Sequence, residues 1–201
     1  MKKIVLVIAL AVILATGTAQ KAFADHPSGF GIGVVGNFWL GNYWGGVGGG
    51  GLSLKFPGVP IFWAVNFGGG GTHDFGSFGF GLTGDYYIID KPIVPTLHWF
   101  LGIGGFLNFY TWWNSYYDSY YNRREGWSWS HINFGARLPI GLSWQPIKLL
   151  ELWIDVAPSV GLGIDTDSNH TYRYNGNDYG HKFWIGAHWG FPLELGLRFW
   201  F

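Results

Sequence analysis

Hydrophobic and polar residues alternate with a period of two along the second half of the chain. Between residues 97 and 109 the odd positions are mostly large and apolar, whereas the even positions are mainly small or polar. The alternation recurs over 131–144, 150–162 and 182–201, and every charged or histidine side chain in these four segments falls on the second face. Successive side chains of a β-strand point to opposite faces of its sheet. The pattern therefore predicts four long strands.

Weaker alternation in the first half of the chain, over 30–35, 52–56, 61–67 and 78–86, predicts four more strands. The total of eight is even, as in exported single-chain barrels, where it leaves both chain ends on one side of the membrane. Three short connections that contain proline are suited to tight periplasmic turns, and four longer ones are predicted to face outward. The short connections are 56–60, 90–95 and 145–149, and the longer ones are 39–50, 68–74, 110–130 and 165–181.

The composition limits the class of protein. The chain has 34 glycines, 20% aromatic residues, 12% charged residues and no cysteine. These values exclude a disulfide scaffold, a thiolate metal site and a disordered chain. A fifth of the residues being aromatic is more than a small water-soluble core can hide, so apolar surface is expected to face lipid or a partner.

Two environments produce strands with one apolar face. A soluble β-sandwich would carry many lysine, glutamate, serine and threonine residues on its polar face, but here that face is mostly glycine. A narrow membrane barrel favours small residues inside, and a charge on its lipid side costs about 2–4 kcal/mol at mid-bilayer. We therefore predict an all-β fold, an eight-stranded antiparallel up-and-down transmembrane β-barrel, with the sandwich as the alternative.

The first 24 residues have the features of a cleavable signal peptide. Lys2 and Lys3 precede an apolar run over 4–15 that is too short to span a bilayer, and Ala22 and Ala24 supply the small-x-small cleavage pattern. We predict a signal peptide over 1–24, cleaved after Ala24, and a barrel domain over 25–201 in a bacterial outer membrane. Loss of three lysines leaves 9 basic and 12 acidic residues, 9 − 12 = −3, which argues against a nucleic-acid partner.

Charged residues on the inward face of the predicted strands are three basic and four acidic. They are Lys55, Asp85, Arg137, Glu151, Asp155, Glu194 and Arg198. An eight-stranded barrel has room only for its own side chains or one small ligand. Because buried charges must pair, we predict an internal polar network that fills the lumen, with a transport path as the alternative.

The longest outer connection is rich in tyrosine, tryptophan, arginine, serine and asparagine, the residue types of protein-recognition surfaces. Its candidate recognition residues are Trp112, Trp113, Tyr116, Tyr117, Tyr120, Tyr121, Arg123, Arg124 and Trp127. The alternative is an extended hairpin with aromatic cross-strand pairs.

Two short motifs resemble ligand-binding motifs but lack features that those sites require. Residues 31–36 satisfy the G-x-G-x-x-G pattern, yet a dinucleotide site needs a strand before it and a helix after it, and neither is predicted. Residues 165–169 begin like a calcium loop, but position 170 is His where Gly is required and position 176 is Gly where a carboxylate is required. We therefore predict no cofactor.

The histidines and serines do not form a recognisable catalytic or metal motif. His98, His131 and His188 lie on three different predicted strands and lack the short spacings of metal-binding motifs, so we predict packed or hydrogen-bonded histidines and no metal. A hydrolase would need serine or aspartate beside histidine near the outer rim, and we predict no catalytic residue. The only pool for one is Ser128, Ser130, His131, Asp178 and His181.

The last strand has apolar residues at alternate positions and ends in phenylalanine, with Leu195, Leu197, Phe199 and Phe201 as its signal residues. It resembles the C-terminal strand that bacterial outer-membrane assembly machinery recognises. The chain after residue 24 resembles the small eight-stranded outer-membrane barrels of the OmpA and OmpW type. Within that group, segments 51–55, 83–90 and 157–161 resemble small, little-characterised spirochaetal barrels.

This resemblance implies a surface-exposed protein whose partners are outer-membrane lipid, the barrel assembly machinery and, for some relatives, a host protein. We therefore expect a structural or extracellular-ligand-binding barrel with a filled lumen. One alternative is an OmpW-like conduit for small hydrophobic molecules, with a pocket lined by Phe100, Phe106, Trp153 and Trp184. The other is a rim enzyme that acts on lipid.

Overall fold

A computed structural model describes the larger part of the chain and places only β-strands in it. It covers residues 29–38, 40, 49–71, 75–118, 123–169, 172–174, 177–179 and 182–201, without the side chains of 115–118, 123–127, 167–169, 172–174, 177–179 and 182–184. All strand pairs are antiparallel, and no helix occurs in these residues. No helix there has the length and hydropathy to span a lipid bilayer. The predicted signal peptide lies outside the described residues.

The strands vary in length from 3 to 22 residues. They are β1 (Gly31–Phe38), β2 (Gly49–Lys55), β3 (Phe62–Gly71), β4 (Phe75–Val94), β5 (Leu97–Asp118), β6 (Arg123–Arg137), β7 (Ile140–Ile147), β8 (Leu150–Val156), β9 (Ser159–Asn169), β10 (Tyr172–Tyr174), β11 (Asn177–Tyr179), β12 (Lys182–Gly190) and β13 (Leu193–Trp200).

Eleven of these strands form one sheet. Their order is β12-β9-β6-β5-β4-β3-β2-β1-β13-β8-β7, and β10 pairs with β11 separately. A further pairing joins β5 to β7. The pairings that lead from β1 through β2, β3, β4, β5, β7, β8 and β13 therefore return to β1. The sheet is a partly closed ring.

Three prolines interrupt the strands of the second half. Pro139 separates β6 from β7, Pro158 separates β8 from β9, and Pro192 separates β12 from β13. Proline has no N–H to donate to the ladder, so regular pairing stops there. Backbone hydrogen bonds still cross the interruptions, since Leu138 N–H donates to the Pro158 carbonyl at 2.9 Å and Ala157 N–H to the Pro192 carbonyl at 2.9 Å.

The predicted sidedness of the strands is confirmed. Ile154 and Leu195, on the apolar face, are each 46% exposed, whereas Arg198, on the polar face, is 1% exposed. The ring thus encloses the charged side chains, many glycines and a few aromatic rings, and turns its large aliphatic residues and many other aromatic residues outward. This is the reverse of a water-soluble core.

Several predicted connections are wrong because the strands are longer than the alternation shows. Strand β3 continues to Gly71, and β4 continues to Val94 through register shifts after Tyr87 and after Pro92. Most of 68–74 and of 90–95 is therefore strand. Apolar alternation marks only the part of a strand that has an apolar face, whereas backbone pairing continues beyond it.

Candidate functional site in the interior

All seven charged side chains predicted to face inward are buried, from 1% exposed for Glu151 and Arg198 to 7% for Lys55 and Asp85. Most of them gather around two arginines. We call these groups the Arg137 cluster, which contains Asp85, Asp155 and Glu194, and the Arg198 cluster, which contains Glu151, Ser53, Ser143 and Trp200.

In the Arg137 cluster one guanidinium faces three carboxylates. Arg137 Nη1 and Nη2 donate to the two oxygens of Glu194 at 2.7 and 2.8 Å, a bidentate pair. Its Nε lies 3.1 Å from Asp85 Oδ1, and its Nη2 lies 3.9 Å from Asp155 Oδ1. A bidentate pair between ionised groups is among the stronger hydrogen-bonded arrangements in proteins. The cluster therefore links β4, β6, β8 and β13 across the interior.

In the Arg198 cluster one carboxylate is shared by several donors. Glu151 Oε2 accepts from Arg198 Nη1 at 2.7 Å and from Trp200 Nε1 at 2.9 Å, and Glu151 Oε1 accepts from Ser143 Oγ at 2.7 Å. Arg198 Nε and Nη2 donate to Ser53 Oγ at 3.2 and 2.7 Å. The Arg198 guanidinium carbon also lies 4.8 Å from the centre of the Phe62 ring, within range of a cation–π contact.

Lys55 does not belong to the predicted network of paired charges. Its side chain is buried as predicted, but its ammonium donates to the carbonyls of Phe56 and Val59, at 3.1 and 2.6 Å, and forms no ion pair within the described residues. Lys55 is the last residue of β2, so its flexible side chain reaches the turn that follows. The lysine caps that turn instead of joining the carboxylates.

Aromatic rings fill the interior near Lys55. Phe62, Tyr87 and Phe100 form a continuous stack with successive ring centres 4.2 Å apart, and Trp200 meets Phe62 edge to face at 6.4 Å. Phe100 is 0% exposed. Two of the predicted pocket residues are therefore packed with other side chains, since Phe100 belongs to this stack and Trp153 lies against Arg198. The side chain of Trp184 lies outside the described part.

His98 and His131 are hydrogen-bonded, as predicted, but the sequence analysis does not predict their aspartate partners. His98 Nδ1 lies 3.0 Å from Asp90 Oδ1, and His131 Nδ1 lies 2.8 Å from Asp165 Oδ1. Both aspartates fall in predicted connections, but each belongs to a strand. Continuing the odd positions of the 150–162 segment by two steps past Gly161 would have put Asp165 on the inward face.

The hydrolase pool is only partly described. Ser130 Oγ lies 3.0 Å from Thr111 Oγ1, a hydroxyl pair, while His131 lies beside Asp165. The side chains of Asp178 and His181 lie outside the described residues. The two ligand-like motifs are both strand, because 31–36 lies in β1 and 165–169 in β9.

The backbone of the predicted recognition loop is a hairpin. Strands β5 and β6 stay paired from Gly104 opposite Arg137 to Asp118 opposite Arg123. Trp112 pairs with Trp129 and meets the Phe75 ring edge to face, with ring centres 5.3 Å apart. Trp113 is 38% exposed. The hairpin alternative is correct for the backbone. Tyr120 and Tyr121, and the side chains of Tyr116, Tyr117, Arg123, Arg124 and Trp127, lie outside the described residues.

The C-terminal strand connects the first strand of the chain to the strands of the second half. Strand β13 pairs with β1 on one side and with β8 on the other, and Phe201 exchanges backbone hydrogen bonds with Phe30 at 2.8 and 3.0 Å. Leu195, Phe199 and Phe201 point outward at 46, 42 and 75% exposure, and Leu197 is half-buried.

Comparison with known proteins gives a family but no activity. No curated protein and no solved structure matches this chain. One family model matches residues 62–199, which cover β3 to β12 and all of β13 except its last residue. The chain therefore belongs to the family described as protein of unknown function DUF3996.

Proposed function

We propose that this protein is an integral outer-membrane barrel of eight antiparallel strands with a filled lumen, exported by a signal peptide over 1–24, whose outer hairpins bind an extracellular protein. The observation that carries the proposal is the inverted distribution of polarity. Among the side chains that the structure describes, the exposed charged ones are Lys91 and Lys148, which lie near the short turns. Of the other exposed side chains in the described part, only Thr96 and Thr166 are polar, and a predominantly apolar outward face is what a lipid-facing wall requires.

The strand count supports eight. If each proline interruption is taken as a break within one membrane strand, then β6 with β7, β8 with β9 and β12 with β13 make three strands. Together with β1 to β5 they total eight, and the pairing of β13 with β1 completes the circuit. The hairpin β10–β11 would then stand above the wall.

An outward-facing arginine distinguishes a lipid-facing wall from a water-facing one. Ile154 is 46% exposed within β8, and Phe56 is 43% exposed in a turn. On a lipid-facing wall Ile154→Arg costs about 2–4 kcal/mol and Phe56→Arg about 0–1 kcal/mol. We expect Ile154→Arg to reduce refolding into lipid vesicles strongly and Phe56→Arg to leave it nearly unchanged. Equal folding of both variants in vesicles and in aqueous buffer would contradict membrane insertion.

Because the lumen is filled, we predict that the barrel does not conduct ions. Arg137 and Arg198, each at most 2% exposed, hold carboxylates from several strands across the interior. We expect no ion conductance when the purified protein is added to a planar bilayer. Reproducible stepwise currents would show that the lumen is open.

The binding role is tested at the β5–β6 hairpin. Because Trp113 pairs with Ser128, replacing residues 114–127 with an Asn-Gly turn preserves the ladder below the cut. We expect this variant to fold in vesicles but to lose capture of soluble extracellular-matrix proteins by cells that display it. A display level equal to that of the original protein is the required control, and unchanged capture would exclude the hairpin as the binding element.

A second candidate is the conduit for small hydrophobic molecules. An apolar groove of about 430 Å³ opens on the outer wall at the proline interruptions, between Leu138, Pro158, Val160 and Phe191. Arg137 lies at its inner side, so passage from the lumen would require the Arg137 cluster to open. Uptake of a labelled alkane by vesicles containing the barrel, and its increase on Phe191→Ala, would favour this candidate.

A further inference from the structure

A third polar cluster lies in the interior, level with the start of the predicted 110–130 connection. His131, Asp165 and His188 come from β6, β9 and β12, which are consecutive in the sheet. The rings of His131 and His188 meet edge to face with centres 5.1 Å apart. One possible metal-ligand atom from each of the three residues lies within 4.8 Å of the other two.

The cluster is fixed on one side and accessible on the other. The His131 side chain is fully buried and stacks on the Trp129 ring at 5.7 Å, with an interplanar angle of 23°. The Asp165 side chain is 15% exposed, and His188 is half-buried. The Asp165 carboxylate therefore keeps some contact with solvent, whereas the His131 imidazole is enclosed.

The approach of the two imidazoles depends on glycine at position 163. A Cβ built there would collide with His188 Nε2 and with His131 Cε1. The backbone of His188 is paired with Gly161 of β9. Gly163 is the next residue of β9 that faces inward. Because Gly163 has no side chain, the His188 ring occupies the space above it and comes close to His131.

We propose that His131, Asp165 and His188 bind a divalent transition-metal ion, for which zinc is the representative. Two imidazole nitrogens and one carboxylate oxygen are a donor set that zinc accepts with a fourth position left open, whereas calcium and magnesium take oxygen ligands. Ligands at about 2.0–2.2 Å from zinc stand about 3.3–3.6 Å apart in a tetrahedron. The three candidate ligand atoms lie within 4.8 Å of one another, and we infer that rotation of the side chains brings them to this spacing.

The sequence argued against a metal because the histidines lie on different strands. Sheet order removes that argument, since β9 stands between β6 and β12 and brings the two histidines to one inward patch. The His98–Asp90 pair has similar geometry, 3.0 Å between Nδ1 and Oδ1, and no second histidine joins it in the described part of the chain. The second imidazole distinguishes the proposed site.

The test measures zinc binding by the whole chain, purified in detergent without a histidine tag, by isothermal titration calorimetry. We expect one zinc ion per chain with micromolar affinity. His188→Gln and His131→Gln should each weaken it at least 100-fold, and Asp165→Asn at least tenfold. The matched control is His98→Gln, which removes a buried histidine of the other pair and should leave zinc affinity within twofold of the original.

Two further measurements keep the result interpretable if a variant folds poorly. Gly163→Ala places a methyl group against both rings and should lower zinc affinity at least tenfold, and heat-modifiable gel migration reports whether each variant is folded. Cobalt(II) should give visible absorption bands typical of four-coordinate geometry, absent in folded His188→Gln. Retention of zinc binding by folded His131→Gln/His188→Gln, or equal loss in His98→Gln, would overturn the proposal.

Discussion

Arg137 and Arg198 are equally buried, yet their surroundings differ. Arg137 faces three carboxylates, whereas Arg198 faces one carboxylate, a serine hydroxyl and three aromatic rings. Around Arg137 the formal charge is negative, so the arginine holds together groups that would otherwise repel each other. Around Arg198 one positive charge faces one negative charge. Neutral donors form the other hydrogen bonds to the carboxylate. The same residue type thus acts as a counter-ion in one region and as one member of a hydrogen-bonded network in the other.

The largest effect is expected for Arg137→Met. The substitution keeps an aliphatic side chain but leaves Asp85, Asp155 and Glu194 buried together without a cation. Removing one partner of a buried ion pair costs about 3–5 kcal/mol, and the mutual repulsion of three carboxylates places this variant at the upper end. Urea unfolding in lipid vesicles measures the loss. Lys91→Met, which removes an exposed lysine, is the control and should change stability little.

A smaller effect is expected for Arg198→Met. Glu151 would lose one donor but keep Ser143 and Trp200, at 2.7 and 2.9 Å. We expect a loss of about 2–3 kcal/mol, based on the usual cost of a hydrogen bond to a charged group and a partly compensated carboxylate. The same unfolding assay compares the two arginine variants. A loss equal to or larger than that of Arg137→Met would contradict the difference between the clusters.

Trp200→Phe tests the neutral donors of the Arg198 cluster. It removes the indole N–H that donates to Glu151 at 2.9 Å but keeps an aromatic ring near Phe62 and Arg198. We expect the free energy of unfolding to fall by at most about 1.5–3 kcal/mol, since the acceptor is charged. Thermal or urea unfolding with Trp189→Phe, an outward tryptophan 49% exposed, as the matched control separates this bond from a general effect of tryptophan removal.

The smallest effect, and the one whose sign is most informative, is expected for Asp155→Asn. Its Oδ1 lies 3.9 Å from Arg137 Nη2, a longer separation than those of Asp85 and Glu194. Replacing it with a neutral isostere removes one of three neighbouring negative charges, so stability should stay the same or rise slightly. Glu151→Gln is the contrasting variant and should be destabilising, because Arg198 has a single carboxylate. Destabilisation of both variants to the same extent would show that charge balance does not distinguish the two regions.

The sequence by itself determined the sidedness of the strands. A period of two assigns Ile154 to one face and Asp155 to the other without any knowledge of neighbours, because the alternation is a property of the extended backbone. The burial of all seven inward charges follows from that parity. The hairpin alternative for the 110–130 connection was also accessible, since it needs only local pairing of two nearby segments.

Only the tertiary structure decided which inward residues meet. Partner choice depends on sheet order, on register and on small residues across the interior, none of which is encoded in the period of one strand. Lys55 therefore bonds to carbonyls of its own turn, although parity placed it with the carboxylates. His131 and His188 are 57 positions apart in sequence, yet they are neighbours because β9 lies between their strands and Gly163 leaves room for both rings.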